Sequence, residues 1–479
     1  MSGSTQPARG TRDFLPDEIR RRQHVIDVIR DVYEHYGFEP LETPAFENIE
    51  TLLGKYGDEG NKLIFKILRR GEHEHTGEAD LALRYDLTVP LARVVAQYQN
   101  ALPKFFKRYQ IQPVWRADRP ARGRFREFYQ CDLDSIGSTS PMVETEILIA
   151  VTEILQRLGF TDFWIRLNHR RVLRALLDSF EVPAPLHEST LVAVDKFDKI
   201  GVDGVRADLL ARGVPEGSVS RIADALSEPS IGAVGIENVN ETVLARTKAR
   251  IRADETGEVA LENLDEIRRL CQGTAAAKHV LIDTNLARGL SYYTGAIMEI
   301  AVEGIGSLGG GGRYDNLVGM FLGRDVPACG FSLGLERIIV VMTERNMFPP
   351  AVAGSAVDVM VTLWNENARA DAVRLASDLR RGGLRVDVYP EADKLGKQFK
   401  YAGSRGVPFV AIQGDDERAR GEVAVKDMRS GEQTSVPRAG VAGFVRGKAS
   451  AGPAGNPGNA EAVGNAKSAE GAKNLEPGT

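Results

Sequence analysis

The stretch LARGLSYYTGAIMEI, Leu286 to Ile300, sets Arg288, Tyr292 and Tyr293 just ahead of an apolar run. A guanidinium offers forked donors for an anion, and a tyrosine hydroxyl gives or takes a hydrogen bond while its ring packs. By itself the segment fits a turn into a core strand, with the tyrosines as packing. Residues 104–137, KFFKRYQIQPVWRADRPARGRFREFYQCDLDSIG, are more informative. Taken as two antiparallel strands around a loop, they put Tyr109, Ile111 and Trp115 on one face and Arg108, Gln110, Gln112 and Arg116 on the other. The second strand separates Tyr129, Cys131 and Leu133 from Gln130, Asp132 and Asp134. Such a polar face is either open to water or built to hold a ligand.

The joining loop carries Arg116, Arg119, Arg122, Arg124 and Arg126 with Asp118 and Glu127. Guanidinium forks match phosphate oxygens two at a time; a solvated charged hairpin fits the same residues. In LALRYDLTVPLAR, Asp86 and Thr88 suit an ammonium group, or equally a helix cap with Pro90 in the first turn. Gly309 to Gly312 lack the Gly-Lys-Ser/Thr ending of a phosphate loop and the dinucleotide spacing. They admit close backbone approach to a flat ligand such as adenine, or a tight turn. In ACGFSLGLERIIVVM, a strand runs into a helix with Arg337 near its positive end, an anion site unless Glu336 or Glu344 pairs with it. His73 and His75 have no third ligand nearby, so a solvated loop is expected there rather than a metal site.

These residues need positioning elements. A helix follows Pro16-Asp17-Glu18 and ends at Gly37; FEPLETPAFENIE is extended, because Pro40 and Pro44 exclude a helix interior. Strand signals dominate Leu81 to Ile136 and Val280 to Val302. A charge-rich helical insertion spans about 183–278. After a break at MFPPAVAGSAVD, alternating strands and helices predict a small α/β unit with a mostly parallel sheet. The expected domains are therefore 1–345, 355–445, and a disordered tail 446–479 poor in large apolar residues. With 479 residues, 43% hydrophobic, 27% charged and a net charge of −5, the chain reads as globular; any nucleic-acid contact needs a local basic face. Three widely spaced cysteines predict neither disulfides nor a zinc cluster and fit a reducing cytoplasm. No run is long enough to span a membrane, and no signal peptide is expected.

In order, the stretches GTRD (residues 10–13), FEPLETPAFE, FREFYQCDLD, RGL-x-YYTG, GGGRYD and GFSLGLER resemble the histidyl-tRNA synthetases, class II aminoacyl-tRNA synthetases, over nearly all of residues 9–445. The resemblance implies an α+β catalytic domain on an antiparallel sheet, a helical insertion, and a C-terminal α/β anticodon-binding domain. It implies activation of L-histidine by ATP, with Mg2+, and transfer to the 3′ end of tRNA(His) by a cytoplasmic homodimer. By the same resemblance Arg116 and Arg288 hold the α-phosphate, and Arg337 holds the γ-phosphate. Asp118 and Arg124 also meet the nucleotide. Asp86, Thr88 and Gln130 take the α-amino group; Asp134 and Tyr293 take the imidazole, with Tyr292 beside them. Gln130 and Asp134 lie about 13 Å apart along a strand at about 3.3 Å per residue, a span that lets them grip opposite ends of an amino acid. Position 291 departs from the family, with Ser in place of the usual Asp, and Asp86-Leu87-Thr88 has the archaeal and eukaryotic form of the amino-group loop. A silent regulatory paralogue and an RNA-binding module that reuses the fold are the competing readings. The α/β segment after Ala356 and the survival of Arg116, Gln130, Arg288 and Arg337 together weigh against the first, and a whole catalytic set with no fused kinase weighs against the second.

Overall fold

In the computed structural model, which describes residues 5–56, 60–69, 71, 76–228, 236–251, 253–287, 292–302 and 306–450, the apolar spacing after Pro16 becomes a helix, Pro16–His35. Pro16 opens it where an N–H has no partner, Asp17 and Glu18 occupy its positive first turn, and Val25, Ile29, Val32 and Tyr33 form its buried stripe.

The strands of the first unit are β1 (Glu39–Pro40), β2 (Phe46–Asn48), β3 (Lys66–Leu68), β4 (Ala79–Leu83), β5 (Phe106–Trp115), β6 (Glu127–Ile136), β7 (Phe163–His169), β8 (Val280–Ile282), β9 (Ala296–Val302), β10 (Gly306–Arg313) and β11 (Ala328–Gly334). Among the described residues, eight of them form one sheet in the order β1-β5-β6-β11-β10-β9-β7-β8, and β2-β4-β3 form a smaller one. The large sheet is antiparallel except at its edges, where β1 joins β5 and β8 joins β7 in parallel. One sheet face is buried against helices Pro16–His35, Met142–Arg157 and Glu255–Cys271, whose Ile29, Ile147, Val151 and Leu264 meet Cys131, Leu133, Ile165 and Phe331. This apolar layer fixes which face of β5 and β6 is left for polar residues.

The region 183–278 is helical where described, but its helices belong to two cores. Leu191, Val205, Leu209 and Ile222 form a cluster of their own with Leu286 and Ala287. Helices Ile236–Ile251 and Glu255–Cys271 instead add Val243, Ile251, Leu261 and Leu264 to the main core. Amphipathic spacing announces a buried stripe without naming the surface that covers it.

The chain divides into two compact units, Met1–Val352 and Ala353–Thr479. The second holds β12 (Val359–Val361), β13 (Val386–Val388), β14 (Phe409–Ile412), β15 (Glu422–Asp427) and β16 (Gln433–Pro437), in the order β13-β12-β14-β15-β16. The expectation of a mostly parallel sheet needs correction: β13, β12 and β14 are parallel, whereas β15 and β16 are antiparallel. Only the short helix Asp415–Arg420 separates β14 from β15, less than a parallel crossover requires. The last helix, Val441–Ser450, buries Val441 and Val445, so ordered chain continues past 445. The rest of the tail lies outside the described residues, among which no helix is long and apolar enough to cross a membrane.

Candidate active site

The register of β5, β6 and β11 builds the site. Arg108 lies opposite Asp134, Gln110 opposite Asp132 and Gln112 opposite Gln130. On the far side of β6, Ser332 faces Asp132 and Gly330 faces Asp134. The polar face of the hairpin is therefore a buried hydrogen-bonding layer, with Arg108, Gln110, Asp132 and Asp134 all withdrawn from solvent. Next to it opens a cavity of about 370 Å³.

One end of that cavity is cationic, with Arg116, Arg124 and Arg337 on its wall beside Asp118. Arg116 donates from Nε to the Tyr85 carbonyl at 3.0 Å and lays its guanidinium 4.3 Å from the centre of the Tyr85 ring. Arg337 follows β11 in the first turn of helix Leu335–Glu344 and donates to the Ser307 carbonyl at 2.6 Å. Its expected partners are engaged elsewhere: Glu336 pairs with the buried Arg22 and Glu344 with Arg122. The loop arginines thus divide their work. Arg126 ties the loop to the N-terminal segment, its backbone N–H on the Gly10 carbonyl and its guanidinium on the Arg9 carbonyl, while Arg116 and Arg124 face the cavity.

The other end carries Asp86, Thr88, Gln130, Tyr292 and Tyr293. Asp86 accepts from Val89 N and Tyr56 Oη, each at 3.0 Å, and from Tyr292 Oη at 3.4 Å. It bonds the Val89 N–H in the first turn of helix Thr88–Gln97, the cap read from DLTVP, and it also lines the cavity. Burial raises its carboxyl above the usual range, although the Val89 N–H and the nearby Arg116 pull the other way. Gln130 donates to Ser332 Oγ at 2.7 Å.

Asp134 is placed differently from the rest. It lines a narrow adjoining cavity of about 20 Å³ with Asp132, Thr88, Tyr293 and Tyr314. Its Oδ1 accepts from Tyr314 Oη, and its Oδ2 lies 2.8 Å from Arg108 Nη2. Gly309 to Gly312 form neither turn nor loop: they are the middle of β10, paired with β9 and β11. A Cβ at Gly311 would sit 2.1 Å from the Gly330 carbonyl oxygen, which explains why this strand is bare and why its backbone forms cavity wall. Arg288 and Ser291 lie outside the described residues, as do His73 and His75.

The family model for histidyl-tRNA synthetase matches residues 10–338, and that of the anticodon binding domain matches 358–448. The chain belongs to the histidyl-tRNA synthetase family. A histidine–tRNA ligase of Christiangramia forsetii is 39% identical over 91% of this chain and 98% of its own. Another from Porphyromonas gingivalis is 40% identical over 90% and 96%. The crystal structure of a Nostoc histidyl-tRNA synthetase superposes with a TM-score of 0.77 at 31% identity, covering 93% of this chain and 99% of that one. In this histidyl-tRNA synthetase-like site, sequence reasoning passed over Arg108, Tyr314, Tyr56 and Ser332. Arg108 and Tyr314 carried a signal, since both stand in the quoted stretches, one on the polar face and one in GGGRYD. Tyr56 carried none, because only the fold brings it to Asp86.

Proposed function

We propose that the chain is a histidine–tRNA ligase. It activates L-histidine with ATP, releasing pyrophosphate and leaving histidyl-adenylate, and then passes the histidyl group to the terminal ribose of tRNA(His) with release of AMP. One observation carries the reading: a single cavity joins an arginine end to an end made of Asp86, Thr88, Gln130 and Tyr293. An amino acid held by its ammonium at Asp86, Thr88 and Gln130 turns its carboxylate toward Arg116, which lies close enough to Asp86 to act on its charge. There the carboxylate oxygen attacks the α-phosphate while Arg116, joined by Arg288, stabilises the charge that develops. Arg337 takes the γ-phosphate, and Asp118 and Arg124 meet the nucleotide. Tyr293 and Asp134 receive the imidazole, with Tyr292 steadying Asp86.

Mg2+ arrives with ATP as counter-ion to its phosphates; besides Asp86, the carboxylates on the cavity wall are Asp118, Glu299 and Glu336, the last paired with Arg22. The segment 355–445 reads the anticodon, and two copies form a cytoplasmic homodimer. Charging tests the reading: the full chain esterifies labelled histidine to tRNA(His) and leaves other tRNAs uncharged. Folded protein that charges no tRNA with histidine contradicts it.

A further inference from the structure

The GTRD stretch, Gly10 to Asp13, contributes none of the residues that line the cavity, yet it is built onto the arginine loop. Arg126 donates its N–H to the Gly10 carbonyl at 2.8 Å, and Arg116 donates its own to the Arg126 carbonyl at 2.9 Å. Two backbone bonds thus run from Gly10 to Arg116. Thr11 closes a turn here, with its N–H and its hydroxyl both on the Ala8 carbonyl, at 2.9 and 2.7 Å. Gly10 sits in that turn at φ +87°, a conformation costly for any residue with a side chain. A Cβ there would lie 2.7 Å from Arg126 Cγ and 3.0 Å from Pro120 Cγ, so the backbone touches both arms of the loop. The loop needs such a restraint, since between 116 and 126 it carries five arginines against Asp118 alone, and like charges drive it open.

Arg12 adds a second grip. Its guanidinium lies 4.4 Å from the centre of the Phe125 ring and 4.5 Å from that of Phe14. Its Nε is buried with no hydrogen-bond partner among the described residues, and its contact with Glu18 is long at 3.9 Å; flat stacking on the rings is what holds it. Phe14 in turn lies 4.1 Å from the guanidinium of Arg22. Arg22 donates to Glu336 Oε1 at 2.9 Å, and the other oxygen of Glu336 accepts from Tyr129 N at 3.0 Å. The segment is therefore pinned at Phe14 to a buried ion pair next to Arg337, while Gly10 and Arg12 hold the loop. Phe125 and Glu336 both line the cavity. Building on the ATP reading above, we propose that residues 10–14 are a strap that holds the arginine loop in the shape that receives ATP, Gly10 through its carbonyl and Arg12 by stacking on Phe125. Both are positioning residues, acting through Arg116 and Arg124.

The test uses Gly10→Ala and Arg12→Ala in the full chain, with two readouts. Limited trypsin digestion needs no activity: cleavage after Arg122 and Arg124, measured against cleavage in the second unit of the same digest, is expected to quicken about threefold or more. In histidine-dependent ATP–pyrophosphate exchange, KM for ATP is expected to rise about fivefold or more while KM for histidine stays within about twofold. If Gly10→Ala does not melt cooperatively, Arg12→Ala decides alone. Loop cleavage at the parent rate overturns the strap, and so do KM values for ATP and histidine that move together or not at all. A parent chain that exchanges with no amino acid would instead overturn the reading on which the strap's role rests, and the digestion would still judge its grip on the loop.

Discussion

At the scale of single side chains, the proposed reading has Arg116 and Arg288 divide the charge of the transferring phosphate between a hairpin and the RGL stretch. Arg288→Ala is expected to lower histidine activation by roughly 10²-fold, the loss typical of one transition-state donor; exchange near the parent rate in a variant that melts normally would remove it from that role. Asp132 makes a second prediction through its titration. Burial, set against the pull of Arg108, raises its carboxyl to about 7, above the unfolded value of about 3.9. The folded state therefore holds a proton that the unfolded chain has lost between those limits, and stability from this group falls as pH rises through them. Asp132→Asn should gain stability relative to the parent from pH 4 to 7 and hold a constant difference above; parallel denaturation midpoints across that range would contradict it. Strand parity made the polar face of β6 readable from residues alone. How Asp134 is engaged depends on Arg108 lying opposite it and on Tyr314 arriving from β10's end, and both are facts of register and fold.

Among elements, β10 departs furthest from its sequence. Glycines have little strand propensity, so Gly309 to Gly312 suggested a tight turn or close backbone approach to a flat ligand, yet pairing on both sides by β9 and β11 makes them a central strand. The clash of a Gly311 Cβ with the Gly330 carbonyl predicts that Gly311→Ala costs about 1–3 kcal/mol of stability by forcing the sheet apart. A variant with an unchanged urea midpoint would show that the strand yields. By contrast the helix after Pro16, the hairpin of β5 and β6, and the strand-to-helix entry of Arg337 were legible because their signals are local: proline placement, period-two alternation and a glycine before an apolar run. The two destinations of the inserted helices were not, since packing partners distant in sequence decide them; the direction of β15 follows from the short connection after β14, which the expectation of a mostly parallel sheet overlooked.

For the whole molecule, two compact units suit two recognition tasks, one for the amino acid and nucleotide and one for the tRNA. Helix Val441–Ser450 buries Val441 and Val445 in the second unit, so a truncation should spare it and begin at residue 451. Removing 451–479 is expected to leave aminoacylation within a few-fold of the parent, and a large loss would assign that segment a function. The resemblance over residues 9–445 was readable because its motifs are many and ordered; what completes the site, such as Tyr56 on Asp86, appears only when distant segments meet. The central claim is that one cavity joins histidine to ATP. ATP–pyrophosphate exchange with each amino acid in turn tests it most directly: exchange that depends on histidine alone is the predicted result, and exchange driven by another amino acid, or by none, would contradict it.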